Sequence, residues 1–244
     1  MIGFRNLTLG YDRHPAVHHL DAVLATGSLT AIVGPNGAGK STLMRAIAGD
    51  LAPLAGRIER APGRLAWLPQ QAEVDRSFPL SVEAFVAMGL WAEIGAFGRV
   101  GPQERRRVAE AIAAVGLAGF ERRSLAALSG GQMQRVLFAR LLLPDAELIL
   151  LDEPFAAIDA RTSADLVALV RRWHGEGRTV VAVLHDLETV RGSFPETLLL
   201  AREKVAHGPT AQVLTAENLF RARTMSEAFD ESARACPPGA RGVA

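Results

Sequence analysis

Apolar residues along this chain fall into short unbroken runs near its two ends and into helix-spaced stripes through its middle. Residues 148–151 and 180–184 are continuous apolar runs and 29–33 is apolar but for Thr30, the pattern of parallel strands buried on both faces. Residues 2–9 and 20–25 read as short strands joined by a turn around Asp12 to Pro15. Residues 57–60 and 64–68 read as strands of a small edge sheet, separated by the turn Ala61-Pro62-Gly63. A further strand is expected at 197–201.

From about 72 to 145 the period changes to that of helices. Ser81 is placed to cap a helix carrying Val82, Phe85, Val86 and Met88. Pro102 suits the first turn of a second helix, with Val108, Ile112 and Val115 on one face and Arg105, Arg106 and Arg107 mostly outside. Residues 132–143 read as a third. Leu166, Leu169, Val170 and Trp173 make one apolar helical face between the two later core strands. The order predicts an α/β fold with a mostly parallel sheet, a small antiparallel edge sheet and a helical insertion. It extends over 1–230, with the helical subdomain at roughly 72–145. Residues 231–244, rich in Ala, Arg, Gly and Pro, are expected to form a flexible tail.

A formal net charge of +1 over 244 residues lacks the basic excess of a general nucleic-acid binder. The single cysteine, Cys236 in Cys-Pro-Pro-Gly, excludes an intramolecular disulfide framework and fits a reducing compartment. It reads as a free tail thiol. Residues 1–10 lack a basic segment followed by an apolar core, and no run of 18 apolar residues occurs, so neither a signal peptide nor a membrane span is expected. The expected location is cytoplasmic, with room to sit beneath a membrane protein.

The chemistry starts at Gly34-Pro35-Asn36-Gly37-Ala38-Gly39-Lys40-Ser41-Thr42. It follows the apolar run 29–33 and precedes Leu43, Ala46 and Ile47 at helical spacing. Strand, glycine loop and helix in that order is the context of a phosphate-binding P-loop. Glycines let several N–H groups turn toward one anion, and the helix adds its positive end. Lys40 is expected on the β- and γ-phosphates of ATP, and the Ser41 hydroxyl on Mg²⁺. The run 148–151 ends in Asp152-Glu153, and strand ends beside a P-loop are where ligands sit in open α/β sheets. Asp152 is expected in the Mg²⁺ shell and Glu153 as the general base for the attacking water. Ser129-Gly130-Gly131-Gln132 has the Ser-x-x-Gln spacing of a capping box. The two glycines exceed what a cap needs and would expose N–H groups to an anion.

With these three motifs in this order, residues 1–225 resemble ATP-binding cassette (ABC) ATPases. The resemblance implies a P-loop NTPase core and further site residues. Tyr11 lies at the adenine-stacking position. Gln70, in Trp-Leu-Pro-Gln, resembles the glutamine that contacts Mg²⁺ and links to a membrane partner. Asp159 resembles the aspartate after the Asp-Glu pair, although locally it could simply cap the next helix. His185, in Leu-His-Asp, resembles the histidine that hydrogen-bonds the γ-phosphate. In this family two copies pack head to tail, with each ATP between one P-loop and the other copy's Ser-Gly-Gly-Gln motif. Ala156 and Ala157 stand where many relatives carry Ser or Gly.

One motif set and no span resemble the separate ATPase subunit of an importer, peripheral on the cytoplasmic face of the membrane. The implied partners are a second copy of the chain, polytopic permease subunits and, indirectly, an extracytoplasmic metal-binding protein, with no nucleic acid. The segment 75–82 (Asp-Arg-Ser-Phe-Pro-Leu-Ser-Val), Met88-Gly89, Glu153-Pro-Phe155 and 213–219 (Val-Leu-Thr-Ala-Glu-Asn-Leu) resemble the zinc and manganese importer group. Zinc is expected first and manganese second, with iron-chelate import or a soluble non-transport ATPase as alternatives. His14, His18 and His19 are read as surface residues, and His207 as a loop residue.

Overall fold

Burial along the chain follows the two periods expected of it. Residues 14–24 alternate between buried and exposed, whereas 29–33, 148–152 and 179–183 are buried at every position. The computed structural model describes residues 1–11, 14–70, 75, 76, 78–95 and 98–227. The expected tail with Cys236, part of the Asp12–Pro15 turn, and Ser77 of the 75–82 segment lie outside the described residues.

In chain order the elements are β1 (Ile2–Tyr11), β2 (His14–Leu24), β3 (Leu29–Val33), α1 (Lys40–Ala48), β4 (Ala55–Arg60) and β5 (Leu65–Leu68). They continue with α2 (Val82–Ala87), α3 (Trp91–Ile94), α4 (Pro102–Ala114), α5 (Gly130–Leu142), β6 (Leu148–Asp152) and α6 (Ala160–Gly175). Last come β7 (Thr179–Val183), α7 (Leu187–Ser193), β8 (Glu196–Ala201), β9 (Glu203–Pro209), α8 (Thr210–Val213) and α9 (Ala216–Glu227). The chain divides into two compact units, one of Met1–Pro62 with the chain from Val181, the other Gly63–Val180.

The first unit holds an antiparallel sheet in the order β2-β1-β4, with Ile2 opposite Leu24 on one side and Arg60 on the other. It also holds β3 and β8 as a parallel pair, Ile32 opposite Leu198, with β9 antiparallel on the far side of β8. Leu43, Met44 and Ile47 form the buried face of α1, which packs toward β1 and β2. Gly49, at φ 89°, ends the helix by turning its N–H onto the carbonyls of Arg45 and Ala46, the left-handed stop that a glycine permits.

The second unit pairs β5 parallel to β6, Trp67 opposite Leu150, and packs α2, α4 and α5 on one another. Ser81 caps α2 by accepting from the Ala84 amide at 3.2 Å. The start of α2 is tied down further by Val82 N–H to the Arg123 carbonyl and Leu125 N–H to the Leu80 carbonyl, at 2.9 and 3.0 Å. Val108 and Ile112 on α4 are fully buried, and Pro102 occupies its first turn, both as expected. Trp173 on α6 is fully buried, with its ring stacked on Phe138 at 5.7 Å and 19°.

Three expectations need correcting. Residues 57–60 and 64–68 do not share an edge sheet: β4 pairs with β1, whereas β5 pairs with β6. A period of two predicts strands but carries no information on which distant strand supplies the hydrogen bonds. Arg107 is not outside: it is half-buried, bridges both Glu93 carboxylate oxygens at 2.6 and 3.0 Å, and donates to the Leu143 carbonyl. His207 lies on β9 opposite Leu198 rather than in a loop, and burial pushes its pKa below the ordinary histidine value.

Removing the large side chain of Trp173 should leave a cavity in the second unit. We expect Trp173→Ala to cost about 3–5 kcal/mol, measured as the shift of a chemical denaturation curve.

Candidate active site

In the first unit the loop 34–39 leaves β3 and enters α1. All five residues of β3 are buried, so the loop's starting point is rigid. A Cβ on Gly34 would collide with the Leu200 carbonyl oxygen on β8. Only glycine lets the loop turn out of the strand at that distance. Gly39, at φ 87°, is the N-cap of α1 and brings no side-chain cap, so the first amides of the helix face outward for an acceptor. Lys40 is only 6% exposed, and its Nζ donates to the Gly34 and Pro35 carbonyls at 2.9 Å each. A buried ammonium requires such acceptors, and phosphate oxygens are stronger ones.

His185 follows β7 and is exposed. It lines, with Gly34, Pro35, Leu199 and the α9 residues Leu219 and Arg223, a cavity of about 270 Å³. The sequence-predicted P-loop and histidine are therefore together in this unit. Asp186 next to His185 caps α7, accepting from the Glu188 and Thr189 amides at 3.1 and 3.2 Å. The Thr189 hydroxyl bond, foremost, holds the Asp186 carboxyl below its ordinary pKa. Tyr11 is 44% exposed, with the Arg45 guanidinium 5.7 Å from its ring centroid. Arg45 also donates to the Tyr11 hydroxyl at 3.3 Å. No local signal singled Arg45 out, because this contact joins residues 34 positions apart.

The second unit holds Gln70, the 129–132 motif, Asp152, Glu153 and Asp159. Gln70 is exposed just beyond the end of β5. Asp152, at the end of β6, is 3% exposed. Glu153 is half-buried and has φ 51°, a left-handed conformation costing a non-glycine residue about 1–3 kcal/mol. Ala157 in the same turn has φ 55°.

Ser129 and Gln132 form a complete capping box on α5: Ser129 Oγ accepts from the Gln132 amide at 3.2 Å, and Gln132 Oε1 accepts from the Ser129 amide at 3.0 Å. The box uses the amides of Ser129 and Gln132 and leaves those of Gly130 and Gly131 to other partners. Among the described residues nothing lies within 4 Å of a Cβ built on Gly130, and its φ is not in the left-handed range. The described residues of the single chain thus give no reason for that glycine. Asp159 caps α6 by accepting from the Thr162 amide at 2.9 Å, a bond that lowers its pKa below the ordinary carboxylate value. Its local reading as a cap is realised in the structure.

Among the described residues no cluster of three or more His, Cys, Asp or Glu is placed to hold a metal ion, and no helix is long and apolar enough to cross a membrane.

The sequence model of the ABC transporter family matches residues 17–156. The manganese transport system ATP-binding protein MntB of Listeria monocytogenes is 38% identical over 222 residues, 88% of this chain and 92% of that protein. The zinc transport system ATP-binding protein TroB of Treponema pallidum is 42% identical over 225 residues, 89% of this chain and 84% of that protein. Among such relatives manganese is named more often than zinc. The dimeric structure of a bacterial ABC transporter cassette superposes with a TM-score of 0.76 at 26% identity, covering 86% of this chain and 99% of that one.

Two glycines in the candidate site should respond in opposite ways. Gly34→Ala should lower the melting temperature and weaken nucleotide binding together, because its Cβ has no space. Gly130→Ala should leave melting unchanged or raise it, since alanine favours a helix by up to about 1 kcal/mol. If its amide faces an anion on a second copy, ATP-dependent dimerisation should nevertheless fall. Thermal melts and gel filtration with ATP check both.

Proposed function

Because this chain belongs to the ABC transporter family, we propose that it is the ATP-hydrolysing subunit of an importer for a divalent transition metal, manganese or zinc. It would work through separate membrane subunits, on the cytoplasmic face, with an extracytoplasmic protein delivering the metal. The observation that carries the nucleotide-binding part is Lys40, buried beside a glycine loop with its ammonium donating to the Gly34 and Pro35 carbonyls, acceptors that phosphate can replace. The metal part rests on the relatives' names. The expectation of zinc ahead of manganese finds no support there, because manganese is named more often.

In this reading the amides at the start of α1 and the Lys40 Nζ take the phosphates of ATP, with Gly34, Pro35, Asn36, Gly37, Ala38, Gly39 and Thr42 shaping the loop around them. Tyr11 stacks on the adenine, its ring steadied by Arg45. The hydroxyl of Ser41, the side-chain carbonyl of Gln70 and the carboxylate of Asp152 each offer an oxygen of the kind Mg²⁺ takes. Bound Mg²⁺ would neutralise charge on the β- and γ-phosphates. Glu153 removes a proton from the attacking water, and His185 donates a hydrogen bond to the γ-phosphate. Ser129, Gly130, Gly131 and Gln132 close on the nucleotide held by the second copy, with Asp159 beside them. ATP thereby holds two copies together, and hydrolysis releases them to move the membrane subunits.

Lys40→Ala should weaken ATP binding about 10- to 100-fold, the worth of one hydrogen bond to a charged group. Glu153→Gln should keep binding, lower hydrolysis about 10²–10⁴-fold, and accumulate an ATP-bound dimer in gel filtration. A chain that binds no ATP, or a Glu153→Gln variant with full turnover, would count against the reading.

The metal is decided in cells. With Glu153→Gln as the only copy, total cellular metal should fall for manganese or for zinc when that metal is limiting. If both stay at wild-type levels, the chain serves an iron chelate or a process other than transport.

A further inference from the structure

Gly131, Gln134 and Phe138 recur at spacings of three and four along α5, so they form one stripe of the helix. Each faces the segment that runs from Glu153 to the first turn of α6. A Cβ on Gly131 would stand 3.2 Å from Thr162 Oγ1 and 3.3 Å from Asp159 Oδ2. Gln134 Nε2 donates to the Pro154 carbonyl at 2.7 Å. The Phe138 ring stacks on Phe155 with centroids 6.3 Å apart. Arg135 extends the contact to α6 through Asp165 at 2.6 Å. All of these residues lie in the second unit.

Of these contacts, the Gln134 bond enters the turn at the residue directly after Glu153. That turn is strained at both ends, with φ 51° at Glu153 and 55° at Ala157. Strained backbone persists only where its surroundings over-determine it. The Glu153 carbonyl is held by the Ala156 amide at 3.2 Å, and the next carbonyl by Gln134. Together these bonds set both peptide planes beside the Pro154 Cα, the first of which is shared with Glu153 and so limits where its carboxylate can lie.

We propose that Gln134 is a positioning residue that fixes Glu153 to the helix begun by Ser129-Gly130-Gly131-Gln132. Contact made at the start of α5 is then felt at the carboxylate of the same chain. The inference rests on the reading of Glu153 as the base and of 129–132 as a contact for the second copy's nucleotide. It implies that one chain's halves of two different ATP sites are coupled through the Gln134 hydrogen bond.

The test uses the full-length chain with Gln134→Leu, which removes the donor, and Gln134→Glu, which keeps the size but accepts only. In both, kcat should fall about tenfold, the rate equivalent of one hydrogen bond, with KM for ATP within about twofold and melting unchanged. In a Glu153→Gln background, single-turnover rates should show no further loss on adding Gln134→Leu, because Gln134 acts only through that carboxylate. Unchanged kcat in either variant overturns the proposal, as does a full additive loss in the Glu153→Gln background. A fall in rate matched by a fall in melting temperature, in both variants, also overturns it. The wild type compared with Glu153→Gln alone reports separately on whether Glu153 is the base.

Discussion

A buried ammonium is the constraint on which the nucleotide-facing half of this protein depends. Lys40 is nearly inaccessible, yet its charge cannot be left without acceptors. The carbonyls of Gly34 and Pro35 supply them, and they can do so only because the loop curls tightly back over the first turn of α1. That curl in turn requires β3 to be a fixed, wholly buried rail. It also requires Gly34 to pass against the Leu200 carbonyl without a Cβ, and Gly39 to enter the helix in a left-handed conformation. The same geometry that satisfies the lysine turns the helix amides outward. An anion arriving there meets donors already arranged, with little reorganisation left to be done.

The second unit solves a different problem, which is to hold two carboxylates and a helix start in a fixed relation. Asp152 and Glu153 leave the buried end of β6, and the chain then reverses through two left-handed residues before Asp159 caps α6. Such a turn is not stable by itself. It is held from the side by α5, whose small, polar and aromatic positions each meet a different part of it. The capping box of α5 explains how that helix starts. It does not explain Gly130, whose missing side chain meets nothing among the described residues. A residue that is unexplained by its own fold but sits at a helix start is where a second molecule is expected to approach.

Much of this was legible in the sequence, because it is written in local terms. Largely apolar runs at 29–33 and 148–151 mark strands buried on both faces, and the structure has β3 and β6 there. Ser81, Pro102 and the Ser129/Gln132 pair announce helix starts within a few residues of themselves, and all three helices start there. The P-loop and the Asp-Glu pair are likewise contiguous segments, so their residue order carries their chemistry. The membership of the chain in the ABC transporter family was therefore visible before any fold was known.

What the sequence could not determine are pairings between distant residues. It showed that 57–60 and 64–68 are strands but not that they pair with β1 and β6 respectively. Arg107 looked solvated by composition and became half-buried once Glu93 and the Leu143 carbonyl were brought to it. Gln134 gave no signal at all, since its role depends on a carbonyl 20 residues away. Short-range periodicity and caps are decided by backbone geometry within one or two turns. Which strand, carboxylate or carbonyl completes a partner set is decided only when the whole chain buries its apolar surface. That choice belongs to the tertiary structure.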